Sequence, residues 1–269
     1  KVFPYERRRE LVQQIQARQK AKDKLPSWYA NPDIVFPSLL SIEQSSSETT
    51  AKYKANLISG NRFADLTGGM GVDFRHISQN FNESFYIERN PQLAELTAHN
   101  LGLMGVINAQ FLSQDSLTWL SQTDTKFDWI YLDPARRGNA NQKVVRLEGC
   151  EPNIVQVKDL LFSKTEHILL KTSPLLDIDL AIRSLACVAH VHIVAVENEV
   201  KEVLFCLQQH PENEATITAA NLTKIDSQQS IFRRSDEQTA CFQTGLLGKS
   251  LYEPNAAIMK SGAFKLIGD

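Results

Sequence analysis

The chain has 269 residues, 42% of them hydrophobic and 22% charged, with a formal net charge of −2. This composition supports one α/β domain of ordinary size plus extensions at both ends, and it excludes wholesale disorder or a globally basic nucleic-acid binder. No apolar run approaches bilayer-spanning length, and the polar, basic start does not read as a secretory signal.

Charge is unevenly placed. Residues 1–24 hold eight cations (Lys1, Arg7, Arg8, Arg9, Arg18, Lys20, Lys22, Lys24) against three anions, a net of +5, which leaves −7 for the remainder. A helix-compatible basic arm on an acidic body suits a polyanionic partner, and it suits equally a solvated terminal helix. Cys150, Cys187, Cys206 and Cys241 stand far apart with no Cys-x-x-Cys, as expected of reduced, mostly packed thiols in a cytoplasmic protein. The missing initiator Met, and a stop soon after a helix-like stretch, read as an excised piece or the front part of a longer protein.

In chain order, residues 4–24 read as a polar helix and 25–41 as an irregular connector with Pro26, Pro32 and Pro37. Ser45-Ser-Ser-Glu48 reads as a capping box opening a helix through Ala51, Lys54 and Ile58 that stops at Gly60. Strands are expected at Phe63–Leu66, Ser84–Ile87, Asn108–Leu112, Phe127–Leu132 and His167–Leu170. Helices are expected near Val72–Asn80, from Asn90-Pro91 to Gly102, over Pro152–Phe162, and from Ser173-Pro174 through Leu185. His190–Val196 and Val203–Leu207 finish the set as an antiparallel pair at one sheet edge. The alternation predicts a doubly wound, mostly parallel seven-strand sheet with one reversed edge strand. After Gln208, Ala215–Ala219 and Ser230–Phe232 read as short strands of a small appendage, and Leu251–Ala263 as the entry to a further element. The expected division is a helical extension (1–59), an α/β domain (60–208) and the appendage opening a C-terminal domain (209–269).

The densest chemical signal is Asp65-Leu-Thr-Gly-Gly-Met-Gly-Val-Asp73, directly after a strand and before a helix. Gly68, Gly69 and Gly71 permit tight turning and close approach of backbone to a ligand, at the strand ends where open α/β sheets bind ligands. The third glycine of a dinucleotide fingerprint is missing. Glu88 ends the second strand 17 residues beyond Gly71, where a carboxylate can accept both ribose hydroxyls of an adenosine cofactor. Asp115, past the third strand, stands at the adenine edge or caps the helix that begins at Ser116. Acids at three successive strand ends suit a cofactor with an amino group, a ribose and an adenine, not a pyrophosphate.

On these residues the chain resembles class I S-adenosylmethionine (SAM)-dependent methyltransferases, a Rossmann-like fold. Asp65-x-Thr67-x-Gly69-x-Gly71 is similar to the family's first motif, with Thr67 in place of the usual first glycine; Glu88 is similar to its ribose-binding acid and Asp115 to its adenine-side acid. The resemblance covers about residues 60–208. It implies SAM as cofactor, held by Asp65, Thr67, Gly68, Gly69, Gly71, Asp73, Glu88 and Asp115. Asp133-Pro134-Ala135-Arg136-Arg137 resembles the (Asp/Asn)-Pro-Pro-aromatic motif of nucleic-acid amino-methyltransferases, which implies Asp133, Pro134 and Arg136 as catalytic residues. Glu43-Gln-Ser-Ser-Ser-Glu-Thr-Thr, Lys171-Thr-Ser-Pro174 and Tyr252-Glu-Pro-Asn255 are similar to methyltransferases with a C-terminal THUMP-like domain, which implies RNA (tRNA or rRNA) as partner by association.

Two departures shape the expectation. Ala135 replaces the motif's second proline and Arg136 its aromatic, and a guanidinium plane can stack on a base or contact phosphate. The related uracil C5 chemistry needs a cysteine where this chain has Lys171-Thr-Ser-Pro174, so that chemistry is rejected. Arg137 and Lys171 are the expected substrate-binding residues, Lys171 reaching a substrate phosphate, the cofactor carboxylate or only solvent. Arg136, Arg137, Lys143 and Arg146, with the basic arm, can follow a phosphate backbone. Gln44 and Ser45 are candidate lids over the methionine end. His190-x-His192 puts two rings on one strand face without a third ligand, so no metal site is expected. The reading is transfer of a methyl group to a base amino group in RNA. Its rivals are a non-catalytic SAM- or RNA-binding module, and a methyltransferase for small molecules or proteins.

Overall fold

Proline punctuation near the N-terminus breaks the extension into separate helices. The computed structural model describes residues 5–136, 147–241, 245, 249–250 and 252–268. It opens with α1 (Tyr5–Lys24), α2 (Pro26–Ala30), α3 (Leu39–Gln44) and α4 (Glu48–Ala55). The non-regular connector leaves carbonyls that need donors, and Arg18 supplies them. Its guanidinium donates to the carbonyls of Tyr29, Asn31, Pro32 and Ile34 at 2.9–3.2 Å and lies 5.4 Å from the Phe36 ring centroid. Lys24 donates to the carbonyls of Ile42 and Glu43 at 2.7 and 2.8 Å. Part of the basic arm therefore serves the extension itself.

The expected capping box is displaced by two residues. Ser47, not Ser45, caps α4 by accepting the Thr50 amide at 3.2 Å. Ser45 ends α3 and donates to the Ile42 carbonyl. Glu48 turns away from the cap because the amide and hydroxyl of Ser27, both at 2.7 Å, claim its carboxylate. The helix ends at Ala55, and Gly60 instead opens the first strand, where a Cβ would stand 2.7 Å from Asp128 Cβ.

The chain divides into two compact units, Lys1–Ile130 and Tyr131–Asp269. The first holds β1 (Gly60–Asp65), α5 (Val72–Ile77), β2 (Phe81–Glu88), α6 (Pro91–Leu103), β3 (Ala109–Ser113), α7 (Ser116–Gln122) and the opening of β4 (Trp129–Leu132). β1 pairs in parallel with β2, and β2 with β3. Burial on both faces explains the unbroken apolar runs. Phe63 stacks on Phe81 at 5.1 Å, and Phe74 meets Tyr86 edge-on at 5.5 Å. Asn100, fully buried on α6, exchanges two hydrogen bonds with the Val35 backbone and so anchors the connector.

The second unit continues with β5 (Ala135–Arg136), β6 (Cys150–Glu151), α8 (Ile154–Phe162), β7 (His167–Thr172), α9 (Ile178–Leu185), β8 (Val188–Val196), β9 (Glu199–Gln208), β10 (Thr216–Leu222), β11 (Ser227–Arg233), α10 (Arg234–Thr239) and α11 (Ala256–Ser261). α9 starts later than expected, because Asp177 rather than Ser173 caps it, accepting the Leu180 amide at 2.9 Å.

The mostly parallel sheet has nine strands, not seven, in the order β11-β10-β8-β9-β7-β4-β1-β2-β3. The expected reversed strand is internal: β9 runs antiparallel to both β7 and β8. The two-residue turn Glu197-Asn198, with φ of 48° and 62°, folds β9 back onto β8. That would leave β8's other edge unpaired, and β10, apolar and buried along its centre, pairs there in parallel. β11 pairs antiparallel with β10 and turns a largely exposed Ser-Gln-Gln-Ser run outward.

Candidate functional site

The turn after β1 is built from both sides. Asp65, buried at the strand end, accepts the Thr67 amide at 2.9 Å and its hydroxyl at 3.3 Å. The Gly68 amide donates to the Ile87 carbonyl at 3.0 Å. Glu88, at the end of β2, accepts the Gly69 amide on Oε2 at 3.0 Å and the Asn90 amide on Oε1 at 2.8 Å. The Gly69 carbonyl accepts from the Tyr86 hydroxyl and from Thr97 Oγ1, the latter at 3.0 Å. Burial raises the Tyr86 pKa, so its hydroxyl stays protonated and a donor. An ionised carboxylate has about four acceptor positions. The two amides leave Glu88 the capacity to take a pair of neighbouring hydroxyls.

The three glycines answer different demands. A Cβ on Gly68 would lie 2.3 Å from the Tyr86 ring, and one on Gly71 2.7 Å from Thr97 Cγ2. Packing within the protein therefore explains Gly68, and packing together with a left-handed φ of +77° explains Gly71. Gly69 has φ +53° and a Cβ there would meet only the Thr67 carbonyl, at 3.6 Å. Of the three, Gly69 alone turns an open side of its backbone away from neighbouring side chains.

The other two candidate acids of this unit, Asp73 and Asp115, have partners of their own. Asp73, in the first turn of α5, accepts from Ser46 Oγ at 2.7 Å and pairs with Lys54 Nζ at 3.2 Å. Asp115 caps α7, accepting the Thr118 amide and hydroxyl, both at 2.8 Å. Those two hydrogen bonds hold its carboxyl below the usual aspartate range. Gln44 is exposed.

In the second unit, Asp133 follows β4 and pairs with Lys171 of β7 through a short contact between Lys171 Nζ and Asp133 Oδ2. The lysine side chain is 12% exposed and the aspartate 36%. Lys171 is held in register by Leu204 of β9. Pro134 is buried, and Ala135 and Arg136 pair with Glu151 and Cys150 in a two-residue antiparallel ladder. Arg137, Lys143 and Arg146 lie outside the described residues. His190 and His192 have ring centroids 6.5 Å apart, and burial holds His192 at a pKa of about 4. Among the described residues, no group of three His, Cys, Asp or Glu side chains is placed to hold a metal.

Sequence reasoning passed over Tyr86, Thr97, Lys54 and Ser46. Tyr86 and Lys54 carried a signal: a polar atom within an apolar run, or on the inner face of a helix, must find a partner when buried.

A solved protein from Porphyromonas gingivalis W83, described as a methyltransferase by assignment, is 33% identical. The match covers 99% of this chain and 68% of that one, with a TM-score of 0.88. The chain belongs to this methyltransferase family. Two further solved methyltransferases are similar at a distance. TrmK of M. capricolum, in complex with S-adenosyl-homocysteine, is 11% identical over 60% of this chain and 68% of that one, with a TM-score of 0.45. An rRNA methylase from Streptococcus thermophilus is 12% identical over 60% and 93%, with a TM-score of 0.42. Residues 251–269 of the methyltransferase match the ferredoxin-like domain family PG_1098_Fer. The comparison with curated proteins found no match. Among the described residues no helix is long and apolar enough to cross a membrane.

Proposed function

We propose that this methyltransferase uses SAM to methylate a base amino group in RNA. The observation that carries the cofactor reading is the Glu88 carboxylate, which fixes the Gly69 amide while keeping acceptor capacity for a ribose diol. In this reading Asp65, Thr67 and the glycine turn hold the amino-acid end of the cofactor, and Asp115 the adenine side. SAM supplies the electrophilic methyl group.

Asp133 orients the attacking amine and accepts its proton. Lys171 lies against the same carboxylate and fixes its direction, so the chain supplies position and a matched charge distribution. Pro134 offers its carbonyl to the amine, and Arg136 takes the place of the stacking aromatic. Arg137 is the proposed contact to the substrate's phosphates, whereas Lys171 is committed to Asp133. The target base must leave its stack to reach Asp133. The proposed division is a helical extension (1–59), an α/β domain (60–208) and a C-terminal segment (209–269). The last segment supplies β10 and β11 and opens a domain of THUMP-like or ferredoxin-like kind. A cytoplasmic setting is part of the same proposal.

Two measurements test this. Calorimetry with S-adenosyl-homocysteine should show binding that Glu88→Ala weakens by about 1.5–3 kcal/mol, the range for hydrogen bonds to a charged group. Labelled SAM offered to total RNA, protein and metabolite fractions should label RNA. Label in protein or metabolites would redirect the substrate reading, and binding without transfer to any fraction would make the chain a non-catalytic module.

A further inference from the structure

Helix α4 carries Glu48, Lys52 and Asn56 at every fourth position, a single polar stripe reaching its C-cap. α5 brings Arg75 and His76 against it, and Ser27 of α2 closes one end. Together they line a cleft of about 350 Å³ that includes no residue of the glycine turn or of the Asp133 motif. Arg75 Nε is buried and has no hydrogen-bond partner among the described residues. Its Nη1 lies 3.4 Å from His76 Nε2. Burial alone accounts for the lowered Arg75 pKa, against which Glu48 pulls the other way, and the guanidinium remains charged. His76 is held at a pKa of about 4, first by burial and next by the Arg75 charge, so it is neutral at pH 7. Ser27 fixes the Glu48 carboxylate on one wall with its amide and hydroxyl.

These groups specify a ligand. Arg75 and Lys52 against Glu48 leave one net positive charge, which one negative charge matches and a dianion overshoots. The Arg75 guanidinium, which lines the cleft and has one N–H unmatched among the described residues, suits an oxygen acceptor beside a second cation. The volume lies in the range that admits a sugar–phosphate unit rather than a lone ion. We propose that this cleft binds a phosphodiester, with Arg75 and Lys52 taking its two non-bridging oxygens. The diester is part of an RNA backbone or a free small molecule. Only the first source rests on the RNA reading above.

The test follows the Arg75 Nε–H and His76 ring resonances in the whole chain during titration with dimethyl phosphate, inorganic phosphate and a single-stranded RNA dodecamer. Dimethyl phosphate should shift the Arg75 Nε–H signal. Lys52→Gln, an exposed site that keeps the fold, should weaken RNA binding about fivefold and lower the slope of log affinity against log salt by about 0.7, one phosphate contact. Affinity that rises from dimethyl phosphate to RNA assigns the cleft to a backbone. Equal affinity assigns it to a free diester. An Arg75 signal unmoved by every probe, or a dimethyl phosphate affinity unchanged in Lys52→Gln, overturns the proposal. Methyl transfer to RNA with a silent Arg75 would sink the cleft and leave the enzyme reading standing. A responsive Arg75 without any methylated RNA would do the reverse.

Discussion

Lys54, whose side chain has no accessible surface, holds its ammonium 3.2 Å from Asp73 Oδ1. Ser46 closes the triangle, 3.2 Å from the ammonium and 2.7 Å from the other carboxylate oxygen. The contact binds the helical extension to the first turn of α5, two residues beyond Gly71. A charge taken out of water needs such partners, and losing one leaves the other stranded.

Lys54→Met should therefore destabilise the chain by about 3–5 kcal/mol, the usual result of breaking a buried pair from one side. Lys54→Met combined with Asp73→Leu should recover much of that loss. Urea denaturation of both variants checks it, and equal destabilisation in the two would show that the pair's charge is not the cause.

The glycines should separate packing from ligand contact. Gly68→Ala and Gly71→Ala place a methyl group against Tyr86 and Thr97, which should cost about 1–3 kcal/mol of stability, with a left-handed backbone penalty of about 1–2 kcal/mol added at Gly71. Gly69→Ala has room for its methyl and carries only the left-handed backbone penalty of about 1–2 kcal/mol. It should fold and yet bind S-adenosyl-homocysteine at least tenfold more weakly. Thermal melts and calorimetry on the three variants decide the matter; wild-type affinity in Gly69→Ala would remove the close backbone approach from the cofactor site.

Asp133→Asn keeps the shape of the side chain and removes the charge that faces Lys171. Single-turnover transfer at saturating SAM should fall by about 10²-fold or more, within the range for a positioned proton acceptor, while cofactor affinity stays near that of the native chain. Arg136→Ala should raise the substrate KM instead, and Arg136→Tyr should recover part of it if stacking is the role. Native rates in Asp133→Ala would eliminate this motif as the catalytic centre and leave cofactor binding untouched.

His76 makes stability depend on pH. Its folded pKa, lowered to about 4 by burial and by Arg75, lies below the unfolded value of about 6.5. Between those values the unfolded chain binds the extra proton, so stability is complete above about pH 6.5 and declines as the pH falls toward 4. The loss should reach up to about 3 kcal/mol, from about 1.4 kcal/mol per pH unit. Urea midpoints from pH 7.5 to 4.5 for the native chain and for His76→Gln should diverge in that window; parallel curves would assign the acid sensitivity elsewhere.

Arg18 should behave as a structural residue although it sits in the basic arm. Arg18→Ala strips donors from four connector carbonyls and should cost about 1–3 kcal/mol. The salt dependence of RNA binding should not change. A flattened salt slope with native stability would return Arg18 to the phosphate-facing set.

The sequence by itself determined the features that repeat at short range. These are the strand–glycine turn–helix at Asp65–Asp73, the acid ending β2, the apolar runs of β1, β2, β4 and β7, and the Asn90 cap. Each is encoded within a few residues, by side-chain period or by the backbone freedom of glycine, so no distant partner is needed to read it. Cap identity was less legible. Ser45, Ser46 and Ser47 are chemically alike, and the choice among them depended on Ser27 claiming Glu48 and on Asp73 claiming Ser46. Only the tertiary structure decided that β9 lies between β7 and β8, that β10 and β11 extend the sheet to nine strands, and which acids meet which donors. Strand order depends on which edges remain unpaired after the hairpins and crossovers have closed. Partners such as Glu88 with Gly69, Lys54 with Asp73 and Lys171 with Asp133 lie 19 to 38 residues apart in sequence. No local period carries that information; it arises because a charge buried by folding must be matched by whatever the fold brings beside it.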